Sequence, residues 1–290
     1  MKKSIIILLA IFFAKFAIAQ SNFQGSATYE TKTNYGDFKK RFEGNKDITP
    51  EMQTMIEQRM KKMSEKTFVL NFDKNASIYK EEEKLDAPGQ SSGGIRMMSN
   101  MMGTGGSLYK NIKQKNYIAN KEFMGKEFLV KDSLVTLKWK MESETRMIGG
   151  YNCFKATAVK APSKTDFRNL RPKEEKKDDT TKKTSLLDNV EIPTEITITA
   201  WYTPEIPVNQ GPENYWGLPG LILEVNDGKT TILCSKIVLN AKEKIDIKPV
   251  DNGEVVSQAK YDEVVVKKME ELKEMNGGKG FGQGMNVIRR

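Results

Sequence analysis

Apolar and polar residues alternate in short runs along most of this chain, the spacing of strands that keep one face wet. Residues 25–32 alternate around Ala27, Tyr29 and Thr31. Further strands are predicted at 67–73 and 76–82, with Asp73-Lys74-Asn75 turning between them. Short alternating segments follow at 107–112, 116–122, 126–131 and 134–142, the last with Leu137, Trp139 and Met141 on one face. Residues 146–159 read as one strand, bent or bulged at Gly149-Gly150. Segments 194–202, 221–225 and 230–239 complete the set, and Asn226-Asp227-Gly228 marks a hairpin turn between the last two.

Only two stretches have helical spacing. Thr49 is a good N-cap and Pro50 suits a first helical position, and Met52, Met55, Ile56, Met60 and Met63 then mark a core-facing stripe over 50–65. Tyr261, Val265, Met269 and Leu272 mark another over 257–275. Many short strands with two helices predict a mainly β (α+β) protein. Its expected form is a curved antiparallel sheet or partial barrel with one or two packed helices.

Two segments interrupt the pattern. Residues 86–106 are rich in Gly, Ser and Met, and residues 160–190 contain PKEEKKDDTTKK at 172–183, with no apolar side chain. Neither can anchor a core, so both are expected to be disordered insertions in one β-rich domain spanning 20–276. The Gly-rich stretch 277–290 is expected to be a disordered tail. At the other end, Lys2 and Lys3, the apolar run Ile5 to Phe13 and Ala17-Ile18-Ala19 read as a signal peptide covering residues 1–19. The expected location is therefore exported: periplasmic, outer-membrane-associated or secreted. No later stretch is apolar enough for a membrane helix.

Residues 201–223 (WYTPEIPVNQGPENYWGLPGLIL) are the densest in proline, glycine and aromatics. Proline fixes φ and removes a donor, so this loop is stiff and cannot join a regular sheet. It is either a corner packed on the core or one wall of a binding face, the latter using Trp201, Tyr202, Tyr215, Trp216, Leu218 and Pro219. The core reading is favoured for Trp201 and Trp216, with Tyr202 and Tyr215 as exposed contacts.

Charge and composition mainly exclude. The formal charge of +9 falls to +6 once residues 1–19, with three lysines and no acid, are removed. Lysines are interspersed with acids, no arginine-rich stripe exists, and nucleic acid is not an expected partner. Histidine is absent, which removes Ser-His-Asp and Cys-His catalysis and histidine-ligated metals. Paired-carboxylate hydrolysis survives that exclusion, although no pair stands out by spacing. Met97, Met98, Met101 and Met102 offer soft thioether ligands that select Cu(I). Cys153 and Cys234 are the only cysteines. An oxidising compartment favours a disulfide worth roughly 4 kcal/mol for so long a loop, and the alternative is two buried free thiols.

The string Gly217-Leu218-Pro219-Gly220-Leu221-Ile222 resembles the signature of the GLPGLI family of exported bacterial proteins. The run Ala200 to Pro207, the pair Gly211-Pro212 and Gly150-Tyr151-Asn152-Cys153 are similar landmarks in the same order. The resemblance implies an envelope location and a common fold, and it implies no activity. The expected function is non-catalytic binding or scaffolding in the cell envelope, with a protein, peptide or glycan partner. A methionine-based copper module is the second expectation and a carboxylate-dependent hydrolase the third.

Overall fold

The computed structural model describes residues 23–34, 49–82, 106–163, 165, 171–172, 190–191, 193–241 and 245–275. The N-terminal half is a meander: β1 (Gln24–Thr33), β2 (Glu65–Asp73), β3 (Ala76–Glu81), β4 (Ser107–Asn111), β5 (Asn116–Phe123) and β6 (Lys126–Ser133). Helix α1 (Pro50–Ser64) lies between the first two strands. The second half runs through β7 (Lys140–Ile148), β8 (Tyr151–Lys160), the two-residue strands β9 (Arg171–Pro172) and β10 (Val190–Glu191), then β11 (Ile196–Thr203), β12 (Leu221–Asn226) and β13 (Thr230–Leu239). Short β14 (Glu254–Val256) and helix α2 (Gln258–Met275) follow. Twelve strands form one open sheet in the order β14-β6-β5-β4-β3-β2-β1-β13-β12-β11-β8-β7. Every neighbouring pair is antiparallel except β14 with β6. The mainly β expectation holds at this level, and the sheet is open rather than a closed barrel.

Chain connectivity forces that sheet to curl. Strands β6 and β7 are second and twelfth in the order, and ten inter-strand steps would separate them by roughly 48 Å on a flat sheet. Seven residue steps join Ser133 to Lys140, a reach of at most about 25 Å. The strap 134–139 therefore crosses between two edges that have been bent toward each other, and the inner face of the sheet becomes a trough.

Ladder register sorts that inner face into levels. Phe72, Ser77, Lys110 and Tyr117 stand side by side on β2 to β5, and Leu70, Tyr79, Leu108 and Ala119 form the next level. The larger buried cluster draws on β1 to β3, β8 and β11 to β13, and includes Tyr29, Leu70, Phe72, Ile198 and Leu223. The smaller joins Tyr117, Phe128 and Val130 to Tyr261 and Val265 of α2. Tyr261 meets Phe128 edge-on at 5.4 Å, Met269 is half-buried, and the side chain of Leu272 lies outside the described residues.

Several sequence expectations need correction. Residues 134–142 are not one strand: 134–139 are the strap, β7 starts at Lys140, and Met141 is exposed. Gly149-Gly150 is a tight hairpin turn rather than a bend, with φ of 57° and 87°, the positive pair that matches strand twist. The N-cap of α1 is as expected, Thr49 accepting from Met52 N at 3.3 Å. Its methionine stripe is not a core stripe, because Met52 and Met55 are exposed and Met60 is only half-buried. Within 160–190, expected to be unstructured throughout, Val190 pairs with Pro172. Thr165 is buried there and donates from Oγ1 to Asp262 Oδ1 at 2.7 Å. Residues 164, 166–170 and 173–189 of that insertion, all of 86–106 but Gly106, and both expected termini (1–19 and 277–290) lie outside the described residues. No helix among the described residues is long and apolar enough to cross a membrane.

Candidate functional site

The central loop lies between the end of β11 and the start of β12, and it plugs one end of the trough. Its backbone is largely bonded to itself: Val208 N to Ile206 O, Gly217 N to Asn209 O, Leu221 N to Ile206 O and Ile222 N to Gln210 O. From there it reaches across to the other half of the sheet. Ser77 Oγ on β3 donates to Gln210 Oε1 at 2.9 Å. Lys110 Nζ on β4 donates to Gly211 O at 2.6 Å and Tyr215 O at 3.2 Å.

Two tryptophans lock the loop to the strap. Trp216 Nε1 donates to Val135 O at 3.0 Å, and Trp139 Nε1 donates to Trp216 O at 2.9 Å. Trp216 is 8% exposed and packs in the cluster under α2, whereas Tyr215 and Leu218 pack in the larger one. The loop thus ties both cores to the strap. Trp201 is buried beneath the Arg146 guanidinium at 4.1 Å, and Arg146 pairs with Glu224. Tyr202 and Tyr215, expected to be exposed, are both buried: Tyr202 is a β11 residue paired with Phe154 and Ile222, and Tyr215 is carried inward by the loop. Of the six residues considered for a binding face, Pro219 alone is exposed.

Above the loop the trough is not filled. A groove of about 790 Å³ remains, in the size range of pockets that bury a small ligand, about 300–1,000 Å³. Phe68, Tyr79, Leu108 and Ala119 form its sheet wall, Tyr261 and Val265 its helix wall, 134–138 of the strap one rim, and Glu213 to Tyr215 of the loop its floor. Phe68 and Tyr79 stack at 4.8 Å. Two valines at the groove stay wet, Val135 at 73% and Val159 at 54% exposure.

Among the polar groups of the lining, Lys66 pairs with Glu81 at 2.8 Å. Lys121 reaches Gln258 Oε1 and lies over the Tyr261 ring. Lys160 Nζ donates to the Tyr215 hydroxyl at 3.0 Å and covers its ring. Asp132 accepts from Ser133 N and from Gln258 N at the start of α2. Among the described residues Thr31 Oγ1, buried, has no hydrogen-bond partner, and the residue lines the groove. Burial pushes the Tyr261 phenol up to about 12, with Asp262 adding to it.

Lys110 is fully buried, and burial pulls its amine down to about 7, partly opposed by Glu213. A neutral amine has two N–H donors, and the two loop carbonyls use both. In the unfolded chain the amine keeps its ordinary value near 10.5, so between the two values the unfolded state binds more protons and stability rises with pH. Burial also pushes the thiols of Cys153 and Cys234 up, to about 11 and about 12. Those groups act in the opposite sense once unfolded thiols ionise, near pH 8.5. From pH 7 to 8.5 the Lys110 effect should therefore dominate and add roughly 1.5 kcal/mol. Urea midpoints should show that rise in the wild type and not in Lys110→Met.

Cys153 on β8 and Cys234 on β13 are both buried free thiols, not the disulfide favoured from compartment. Their Sγ atoms point to local carbonyls, Tyr151 O and Lys236 O, and two strands intervene between theirs in the sheet. Met97, Met98, Met101 and Met102 lie outside the described residues. Among the described residues no group of three or more acids or cysteines could hold a metal ion. The loop motif supplies Tyr215 at the groove floor, and the sheet residues of the groove carry no motif. Lys110, Lys160, Phe68 and Tyr79 meet only after the sheet curls.

Residues 139–224 match a family model described as "Protein of unknown function (Porph_ging)". That span holds every landmark of the exported-family resemblance. No curated protein matches the chain. Among solved structures, the chain is similar to "Structure of PNGF-II in P21 space group" at 15% identity and a TM-score of 0.47. It is also similar to "Structure of PNGF-II in C2 space group", at 15% identity and 0.44. The likeness covers 85% and 84% of this chain but 34% and 33% of those chains, so this chain spans about a third of their length. By these comparisons its middle section, from the strap through the central loop into β12, is similar to a family of unknown function.

Proposed function

We propose that this is a non-catalytic, exported cell-envelope protein of the GLPGLI kind that binds a ligand in the groove on the inner face of its curled sheet. One observation carries the reading: the central loop plugs only one end of the trough and leaves about 790 Å³ open, floored by Tyr215 and rimmed by exposed Val135 and Val159. Exposed apolar side chains at the rim of a concave site favour an apolar guest. Export is supported by the N-terminal basic, apolar and Ala-x-Ala regions. Of the two groove carboxylates, Asp132 is already engaged with the start of α2, and this favours binding over hydrolysis.

Filling the groove tests the proposal. A neutral polycyclic fluorescent probe should bind the wild type, and Val159→Trp and Ser107→Trp should each weaken binding at least tenfold while far-ultraviolet circular dichroism is unchanged. Equal probe binding in all three proteins would refute the groove as the site.

A further inference from the structure

We propose that the groove's ligand is a single-chain anionic amphiphile, a long-chain carboxylic acid. Its alkyl chain lies along Phe68, Tyr79 and Leu108, and its acid head is held by Lys138 and Lys160. This rests on the groove reading above and names its ligand.

The backbone argues for a chain rather than a peptide. Phe68, Tyr79, Leu108 and Ala119 of the sheet wall are each paired to a neighbouring strand on both sides. The wall along which the chain lies therefore offers no free ladder edge to which a peptide could add a strand. A peptide or glycan laid on this wall would bury amides or hydroxyls without partners, which is costly. An alkyl chain asks for none, and stacked Phe68 and Tyr79 with Leu108 supply the apolar contact it needs. Val135 and Val159 at the groove are the contact surface that an emerging chain would cover.

Charge complementarity fixes the head. Four lysines and two carboxylates line the groove: Lys66, Lys121, Lys138 and Lys160 against Asp132 and Glu213. Lys66 has its carboxylate in Glu81, and Lys121 its contacts with Gln258 and Tyr261. Lys160 is bonded to a phenol, and neither it nor Lys138 forms an ion pair among the described residues. Among the described residues two cations of one groove thus lack an anion. Thr31 Oγ1, buried and without a hydrogen-bond partner among the described residues, is a further polar group on the same lining.

Calorimetric titration of the full mature chain with decanoate, dodecanoate and tetradecanoate, and with the alcohols of equal length, tests this. Kd should tighten about two- to fourfold per added methylene in both series. Each carboxylate should bind at least fivefold more tightly than its alcohol. Lys138→Gln with Lys160→Gln should remove the difference and leave the alcohols unchanged. Lys138→Gln alone, on the exposed rim, should remove part of it even if the Lys160 change disturbs the loop. Equal Kd for acid and alcohol in the wild type would overturn the head assignment. Failure of both series, with the neutral probe still bound and still displaced by Val159→Trp, would overturn the chain assignment while sparing the groove. Loss of that groove-dependent probe binding as well would sink the groove reading itself.

Discussion

Trp216→Ala should lower the unfolding free energy by about 3–5 kcal/mol, the range for truncating a large buried aromatic. Trp216 joins the loop to the smaller core and to the strap. Its ring packs in the cluster of Phe128, Tyr261 and Val265, while its neighbours Tyr215 and Leu218 pack in the other. Truncation leaves a cavity under α2 and strips Val135 O of its donor, so transfer, cavity and hydrogen-bond losses coincide. Trp216→Phe keeps most of the volume and loses only the N–H, and should cost about 1–2 kcal/mol. Chemical denaturation of the three proteins gives the ordering. If Trp216→Ala melted like the wild type, the residue would be a surface contact and the loop a free wall.

Gly220→Ala should cost about 3 kcal/mol, and Gly217→Ala about 1 kcal/mol. The two glycines flank Leu218-Pro219, yet they are glycine for different reasons. A Cβ on Gly220 would lie 2.1 Å from Thr203 O and 2.5 Å from Thr203 C. Those are backbone atoms at the end of β11, and they cannot move without opening the β11–β12 junction on which the plug hangs. A Cβ on Gly217 would meet only Trp139 Nε1, at 4.0 Å. Its requirement is the positive φ of 93° alone. Equal costs at the two positions would mean that the close approach of Gly220 is absent in solution.

The regular parts of this fold were legible because alternation is a local signal. Asp73 and Asp227 announce their turns by side-chain bonds to the next backbone amides, Asp73 Oδ1 to Ala76 N at 2.7 Å and Asp227 Oδ1 to Thr230 N at 2.6 Å. The strap was misread for a physical reason. Leu134 is buried toward α2 while Leu137 and Trp139 pack against the larger cluster, and two cores on one short segment imitate the apolar spacing of a strand.

Lys110 was illegible for the opposite reason. On a strand of alternating pattern a lysine reads as solvent-facing, and only the curl brings loop carbonyls 101 and 105 residues away onto its amine. Tyr202 reads as part of the proline-rich segment but is the penultimate residue of β11, and Tyr215 reads as exposed because such loops usually run over the surface. Here the loop bonds to itself and to Ser77 and Lys110, which satisfies enough of its backbone for burial.

The groove is the consequence of that burial, and locating its guest is the most direct measurement. Methyl-labelled protein titrated with dodecanol should show shifts at Leu108, Leu134, Val135 and Val159, which line the groove. Leu223 and Val225, packed in the main core and outside the lining, should stay still. Shifts confined to Val250 and Val255, exposed before and within β14, or centred on the main core, would contradict a ligand seated above the plugged end of the trough.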